Sequence, residues 1–446
     1  MSADTVLRAR VGVCGWVCTH LSTDVTITSP ALSEFWGRPV NVSAWVTLPA
    51  GFDTHPAARY PLIINHGHYS YQRLRGWSDE PPASVTPPRP KTGNPDDCYY
   101  CSSGGGCCDG CEFSDSFQQL YANYFTQNWT SLEPGSAFHG ARVLLARVQT
   151  PNPFFDDSYA VNSDNLGPWG DAITYELLPE IERRFRGLGP WARGTYGGST
   201  GAWEALAVQV KYPEQYNGAI ACAPDPIDFR ALLPLNVYTS GNAFRKRAGL
   251  QLKESVTGLA RTYTGDMLAS LEDGYRFEQA LGGALSGGQI GVWMAVYGPT
   301  GKTGLPRPLW DERGAIDEKV AAHWREHYDL SHIIQRDWAT LAAALRGKIH
   351  VWVGSMDACK ETGRRGDGET GRRGDGETGR RPRRCPWSSQ PLWLLKRLTT
   401  VCACVYARAS DSRLAANPDN FELTWMGGPR SIALVPLQTT WTRPCS

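Results

Sequence analysis

Residues 192–210 read Ala192-Arg-Gly-Thr-Tyr-Gly-Gly-Ser199-Thr-Gly-Ala-Trp-Glu-Ala-Leu-Ala-Val-Gln-Val210. The first five residues predict a short strand, and residues 202–210 predict a helix. Between them, residues 197–201 match the G-x-S-x-G pattern, in which glycines allow a turn tight enough to expose a serine between a strand and a helix. Ser199 is therefore a candidate nucleophile. The alternative is a glycine-rich turn whose serine only caps the helix.

Strands and helices alternate on both sides of this segment. Residues 24–48 predict two alternating strands joined by a turn, and residues 169–186 predict an amphipathic helix kinked at Pro179. Short apolar runs predict buried strands at residues 60–65, 141–148, 216–224 and 348–353. Strands that alternate with helices predict an α/β fold with a mainly parallel sheet.

The predicted organisation has three parts. A poorly determined N-terminus covers residues 1–23, one α/β domain covers 24–358, and an anomalous tail covers 359–446. Within the domain we expect a cysteine-rich insertion at about 71–115 and a helical insertion or cap at about 230–346. The tail opens with a repeated Glu-Thr-Gly-Arg-Arg-Gly-Asp-Gly unit over residues 361–381, which holds no apolar side chain and is predicted to be disordered.

Charge and hydropathy exclude some functions. The 446 residues include 45 Lys+Arg and 44 Asp+Glu, and this balance argues against a nucleic-acid partner. The sequence has no apolar run long enough to predict a membrane span. Thirteen cysteines and two sequons, which begin at Asn41 and Asn128, favour an extracellular protein over a cytoplasmic one.

The cysteine-rich insertion allows two interpretations. Pairs of cysteines with zinc-like spacing are separated by too few residues for the usual zinc knuckle, so disulfides are favoured over a metal. No metal and no cofactor is predicted. The cysteines concerned are Cys98, Cys101, Cys107, Cys108 and Cys111.

Acyl transfer at Ser199 needs backbone N–H groups that stabilise an oxyanion. Thr200, directly after the serine, supplies one such amide. A loop after an earlier strand supplies the other, and Gly67 and His68 follow the predicted strand at 60–65. The alternative for this segment is a polar turn that ends the strand.

The acid and the base should come later in the chain. Asp357 follows the strand at 348–353 and is the predicted acid, with Asp225 and Asp228 as competitors. A serine hydroxyl needs a base, yet none of the nine histidines follows Asp357. Histidines from elsewhere are the alternative bases, namely His68, His323, His327 and His332.

Five motifs together resemble an uncharacterised esterase group of the α/β-hydrolase superfamily. They occupy residues 29–37, 65–68, 165–171, 197–204 and 222–228, within a resemblance that covers roughly residues 24–357. The resemblance implies an α/β-hydrolase-like fold, Ser199 as the nucleophile and Asp357 in the acid turn. It also implies a histidine near the C-terminus, which this sequence lacks.

The sequence thus predicts a serine hydrolase of the esterase type that acts through a Ser199 acyl-enzyme and is impaired for want of that histidine. Its substrate would be a small-molecule ester or a glycan-linked ester. The alternative function is a catalytically inactive protein that binds carbohydrate or ester ligands. The sequence does not determine the oligomeric state.

Overall fold

The computed structural model describes residues 22–49, 51–67, 84, 89–90, 111–112, 141–152, 155–247, 254–261 and 267–353. Most of the predicted insertion at 71–115 and the repeat at 361–381 lie outside the described residues. The predicted site residues His68 and Asp357 lie outside them as well.

A seven-stranded sheet forms the centre of the described fold. Its order is β1-β2-β4-β3-β5-β6-β7, and β3 through β7 run parallel, while β2 pairs antiparallel with both β1 and β4. The fold class predicted from sequence, an α/β fold with a mainly parallel sheet, is confirmed. The strands are β1 (Ser22–Thr28), β2 (Asn41–Thr47), β3 (Leu62–His66), β4 (Leu144–Gln149), β5 (Arg193–Gly198), β6 (Ala219–Cys222) and β7 (Ile349–Trp352).

Nine α-helices in the described residues connect or cover these strands. They are α1 (Pro30–Trp36), α2 (Trp169–Asp171), α3 (Leu178–Phe185), α4 (Thr200–Lys211), α5 (Leu271–Leu281), α6 (Gln289–Tyr297), α7 (Glu318–His327), α8 (Leu330–Arg336) and α9 (Trp338–Leu345). A π-helical turn, Ala172–Leu177, joins α2 to α3 just before Pro179. The irregularity expected at Pro179 therefore takes the form of a widened turn, since proline has no N–H for the helical ladder.

The connection between β1 and β2 differs from the predicted turn. It contains α1, which Ser29 caps by accepting a hydrogen bond from the Leu32 amide. Pro30 occupies the first helical position, where its missing N–H has no helical partner to lose. Gly37 ends the helix with a φ of 62°. The prolines that interrupt the strand pattern thus begin a helix.

The segment from 230 to 346 combines helices with short strands. It holds α5 to α9, but two antiparallel hairpins precede them, Arg245–Arg247 with Glu254–Val256 and Gly258–Arg261 with Met267–Ser270. Aromatic rings join this segment to α4: Tyr297 packs on Trp203, Phe229 and Trp324, all of which are buried. The helical insertion therefore shares one core with the sheet.

Residues 200–210 of α4 are buried throughout. This helix lies between the sheet and the insertion; Ser199 directly precedes it, and Thr200 is its first residue. None of the described helices is long and apolar enough to cross a membrane.

Candidate active site

Ser199 occupies the turn between β5 and α4. Its backbone has φ 54° and ψ −124°, and the residue is exposed. A non-glycine residue in this conformation costs about 1–3 kcal/mol and persists only where its surroundings fix it. Two backbone hydrogen bonds do so: Ser199 N–H donates to the Cys222 carbonyl at 3.0 Å, and Asp225 N–H donates to the Ser199 carbonyl at 3.3 Å.

At two positions of the G-x-S-x-G pattern, backbone atoms approach so closely that only glycine fits. A Cβ on Gly197 would overlap the Gly201 carbonyl, and a Cβ on Gly201 would overlap the His66 carbonyl and lie 3.1 Å from the Gly67 nitrogen. The start of α4 therefore packs directly on the end of β3, which brings Gly67 next to the turn that begins with Thr200. Because His68 lies outside the described residues, an oxyanion hole formed by Gly67, His68 and Thr200 stays a prediction.

Asp225, which sequence analysis ranked behind Asp357, contacts the candidate nucleophile. The Ser199 hydroxyl donates to Asp225 Oδ1 at 3.4 Å, and the Thr200 hydroxyl donates to Asp225 Oδ2 at 2.9 Å. Asp228, the other competitor, instead forms an ion pair with Arg230. The role of Asp357 as the acid stays a prediction, because the structure does not describe that residue.

Asp225 is 6% exposed and is surrounded by uncharged donors. The Tyr159 hydroxyl donates to Asp225 Oδ2 at 2.8 Å and accepts from Trp293 Nε1 at 2.8 Å. The Gln289 side-chain amide contacts both Tyr159 and Asp225. Burial, and then the nearby Asp225, raise the pKa of Tyr159 well above its usual value, so its hydroxyl remains a donor. In the part of the chain that the structure describes, no lysine or arginine forms an ion pair with Asp225.

A second buried cluster lies on the β3 side of the turn. His66 Nδ1 lies 3.2 Å from Glu204 Oε2, and both side chains are completely buried. Burial lowers the pKa of His66 to about 4, and burial together with Asp157 raises the pKa of Glu204 well above its usual value. Both shifts favour the uncharged forms, in which the contact is a hydrogen bond rather than an ion pair.

Three of the alternative bases named from sequence, His323, His327 and His332, are engaged elsewhere, and His68 lies outside the described residues. His323 lies 3.8 Å from Asp164, and its ring faces that of His327, with 4.5 Å between the ring centroids. His332 pairs with Glu326 at 3.1 Å. Among the described residues, no histidine forms a hydrogen bond with the Ser199 hydroxyl.

Several polar residues around the turn were not predicted. They are His66, Asp157, Tyr159, Glu204, Gln289 and Trp293. One sequence signal was available for Glu204, since it is the only charged residue in the stretch from 194 to 210, which is otherwise uncharged. A lone carboxyl in such a helix needs a buried partner.

Other kinds of site receive no support from the described residues. Within the described ranges, no group of three or more His, Cys, Asp or Glu side chains is placed to hold a metal ion. A cleft of about 620 Å³ opens beside Lys211. It lies at the opposite end of α4 from Ser199, and its walls include His323 and His327, two of the alternative bases, but not Ser199 or Asp225.

Comparison with known proteins gives similarity at the level of solved structures alone. No protein-family model matches the chain, and no curated protein matches it. A ferulic acid esterase is 15% identical, with a TM-score of 0.29, over 46% of this chain and 62% of its own. An S-formylglutathione hydrolase from Agrobacterium tumefaciens is 12% identical, with a TM-score of 0.27, over 47% and 60%. A CE1 ferulic acid esterase from Anaeromyces mucronatus is 14% identical, with a TM-score of 0.26, over 47% and 59%.

The chain thus spans about 60% of the length of these solved structures. At such identities and TM-scores the likenesses carry no argument about substrate or mechanism. The fold assignment rests on the strand order and pairing described above.

Proposed function

We propose that this protein is a serine hydrolase of the esterase type, with Ser199 as the nucleophile. The observation that carries the proposal is the backbone of Ser199, which holds this exposed residue in a strained conformation at the start of α4. Strained residues concentrate at functional sites, because a fold retains strain only where other contacts fix it. The helix N-terminus behind the serine also favours a developing negative charge.

In the proposed reaction the Ser199 oxygen attacks the acyl carbon of an ester. The bond from that carbon to the alcohol oxygen breaks, the alcohol leaves with the serine proton, and an acyl-enzyme remains. Water then attacks the acyl carbon, releases the acid and restores the serine. The amides of Thr200, Gly67 and His68 are the proposed donors to the oxyanion, and Asp357 is the proposed acid.

The chain should be a poor catalyst, because no histidine follows Asp357 in the sequence and, among the described residues, no histidine bonds the Ser199 hydroxyl. Loss of the histidine from a serine triad lowers kcat by about 10⁶, while the oxyanion hole and binding retain about 10³–10⁴ over water. An ester of a small acid, or one attached to a glycan, is the proposed substrate class.

The test compares hydrolysis of p-nitrophenyl acetate by the full chain and by Ser199→Ala, with and without added imidazole. We expect slow turnover by the full chain, and we expect imidazole to increase it because the free base replaces the missing one. The Ser199→Ala variant should show only the background reaction of imidazole in water.

Two outcomes would contradict the proposal. Fast turnover without imidazole would show that a base is present, so the protein would not be impaired. Equal rates for the full chain and Ser199→Ala under every condition would remove Ser199 as the nucleophile. Ester or oligosaccharide binding without Ser199-dependent turnover would then favour the inactive binding protein.

A further inference from the structure

The two oxygens of Asp225 have different partners. Oδ1 accepts from the Ser199 hydroxyl, whereas Oδ2 faces the hydroxyls of Thr200 and Tyr159 and the N–H groups of Gln289 and Trp293. Every one of these partners donates, which is the pattern that an ionised carboxylate satisfies. We propose that Asp225 is a positioning residue, which aims the Ser199 hydroxyl and fixes the first turn of α4. The consequence for reactivity rests on the proposed function.

The loop that carries Asp225 restrains Ser199 through main chain and side chain together. Its Cys222 carbonyl and Asp225 amide bond the backbone of Ser199, and the Asp225 carboxylate bonds the hydroxyl of the same residue. Ala223, within this loop, also has a positive φ of 47°. Two strained residues on adjoining turns need such redundant contacts to persist.

The helical insertion supplies part of this arrangement. Gln289 and Trp293 lie one turn apart on α6, and both direct N–H groups at the Tyr159 hydroxyl and Asp225 Oδ2. The orientation of Ser199 thus depends on a helix about 90 residues later in the chain. Residues of the insertion therefore help to hold Ser199 in place.

Asp225→Asn separates positioning from packing. The amide oxygen of the asparagine can take the place of Oδ2, where it accepts from the same donors and preserves the fold. The NH₂ group then takes the place of Oδ1 and donates to the Ser199 oxygen, which occupies the electron pair needed for attack. The variant should fold, but its serine should be less reactive.

The first measurement follows covalent labelling of Ser199 by an alkyl fluorophosphonate, with and without imidazole, by intact-protein mass. We expect Asp225→Asn to lower the maximal labelling rate about tenfold to a hundredfold, since hydrogen bonds to charged groups are of that strength. The reagent concentration that gives half the maximal rate should not change. Equal maximal rates in the two proteins would overturn the proposal.

Asp329→Asn is the matched control, because Asp329 is also buried and accepts from the Tyr238 hydroxyl and the Phe229 amide. It should lower Tm without changing the labelling of Ser199. If Asp225→Asn does not fold, Trp293→Phe removes one N–H donor from the same group and should reduce the maximal labelling rate severalfold. An unchanged rate in a folded Trp293→Phe protein would count against the proposal.

A second measurement does not depend on reactivity. In urea unfolding, Ser199→Ala should lower the midpoint more in the natural chain than in the Asp225→Asn background, because a charged acceptor makes the stronger bond. An equal fall in the urea midpoint in the two backgrounds would show that the Ser199 hydroxyl and the Asp225 carboxylate do not interact. If this coupling is found but Ser199 is never labelled, the proposed function fails while the positioning role stands.

Discussion

Two buried carboxyl groups flank the Ser199 turn, Glu204 on the side of β3 and Asp225 on the side of β6, and they differ in how the cost of burying a charge is avoided. On the β3 side, Glu204 is buried with His66 and Asp157, and its raised pKa favours the uncharged form. On the β6 side, Asp225 is buried among hydroxyl, amide and indole donors. Burial of an isolated charge is expensive, and protonation and hydrogen bonding are the two ways to avoid that expense.

This difference matches what each side holds in place. The β3 side fixes the contact between a strand end and a helix, and an uncharged hydrogen bond between His66 and Glu204 is sufficient for that. The β6 side faces the candidate nucleophile, where a hydrogen-bond acceptor can orient the Ser199 hydroxyl. Under the proposal, one buried carboxyl holds a strand and a helix together and the other positions the serine.

The largest expected effect concerns the point where the two sides meet. Gly201→Ala places a Cβ against the His66 carbonyl, and because backbone atoms of β3 and α4 must then separate, we expect a loss of about 3 kcal/mol or more in the free energy of unfolding. Urea unfolding measures the loss.

The neighbouring Gly198→Ala is the control, since its Cβ would meet nothing closer than the Cys222 carbonyl at 3.9 Å. A change of less than about 1 kcal/mol is expected there. Equal effects of the two variants would contradict the close approach of β3 to α4.

The second prediction uses pH to test whether Glu204 is uncharged. Its pKa is raised in the folded protein, so folding takes up a proton above the pKa of the unfolded chain, and rising pH disfavours folding. Glu204→Gln removes this uptake but keeps the size and the hydrogen-bonding groups. The stability of Glu204→Gln relative to the natural chain should therefore rise with pH, by up to about 1.4 kcal/mol per unit between pH 6 and 8.

Glu180→Gln provides the control for this pH series. The Arg183 guanidinium lowers the pKa of Glu180 to about 2, so Glu180 is ionised in both states across that range. Its stability difference from the natural chain should stay constant. The pKa of His66 is about 4, so His66 is uncharged in the folded natural chain across this range, and its titration in the unfolded state is common to both proteins. A difference that does not change between pH 6 and 8 for Glu204→Gln would show that Glu204 is charged.

The sequence predicted the features that depend on neighbouring residues. The G-x-S-x-G turn is local, because a strand, three glycines and a helix follow one another within 20 residues. Four of the parallel strands, β3, β4, β6 and β7, could also be predicted locally, since each lies in a short apolar run. The helix at Pro30–Trp36 is local but was missed, because proline signals both the end of a strand and the first turn of a helix.

The surroundings of Ser199 could not be predicted in this way. Asp225 reaches Ser199 because β5 and β6 are adjacent in the sheet, a pairing that the sequence does not specify. Tyr159 and Trp293 come from an irregular segment and from the insertion, 134 residues apart. Which buried donor meets which carboxyl depends on tertiary packing, and no spacing in the chain encodes it.

The smallest expected effect isolates backbone strain from the Asp225 hydrogen bond. Ser199→Ala and Ser199→Gly both remove the hydroxyl, but only glycine adopts φ 54° and ψ −124° without strain. Ser199→Gly should therefore be more stable than Ser199→Ala by about 1 kcal/mol in urea unfolding.

Ser33 in α1 is the control: its hydroxyl accepts from the Val40 amide, and both replacements lose that bond. There the order should reverse, with alanine more stable than glycine by up to about 1 kcal/mol, as in an ordinary helix. If alanine is also the more stable replacement at position 199, the turn is not strained, and the proposed need for Asp225 to restrain it disappears.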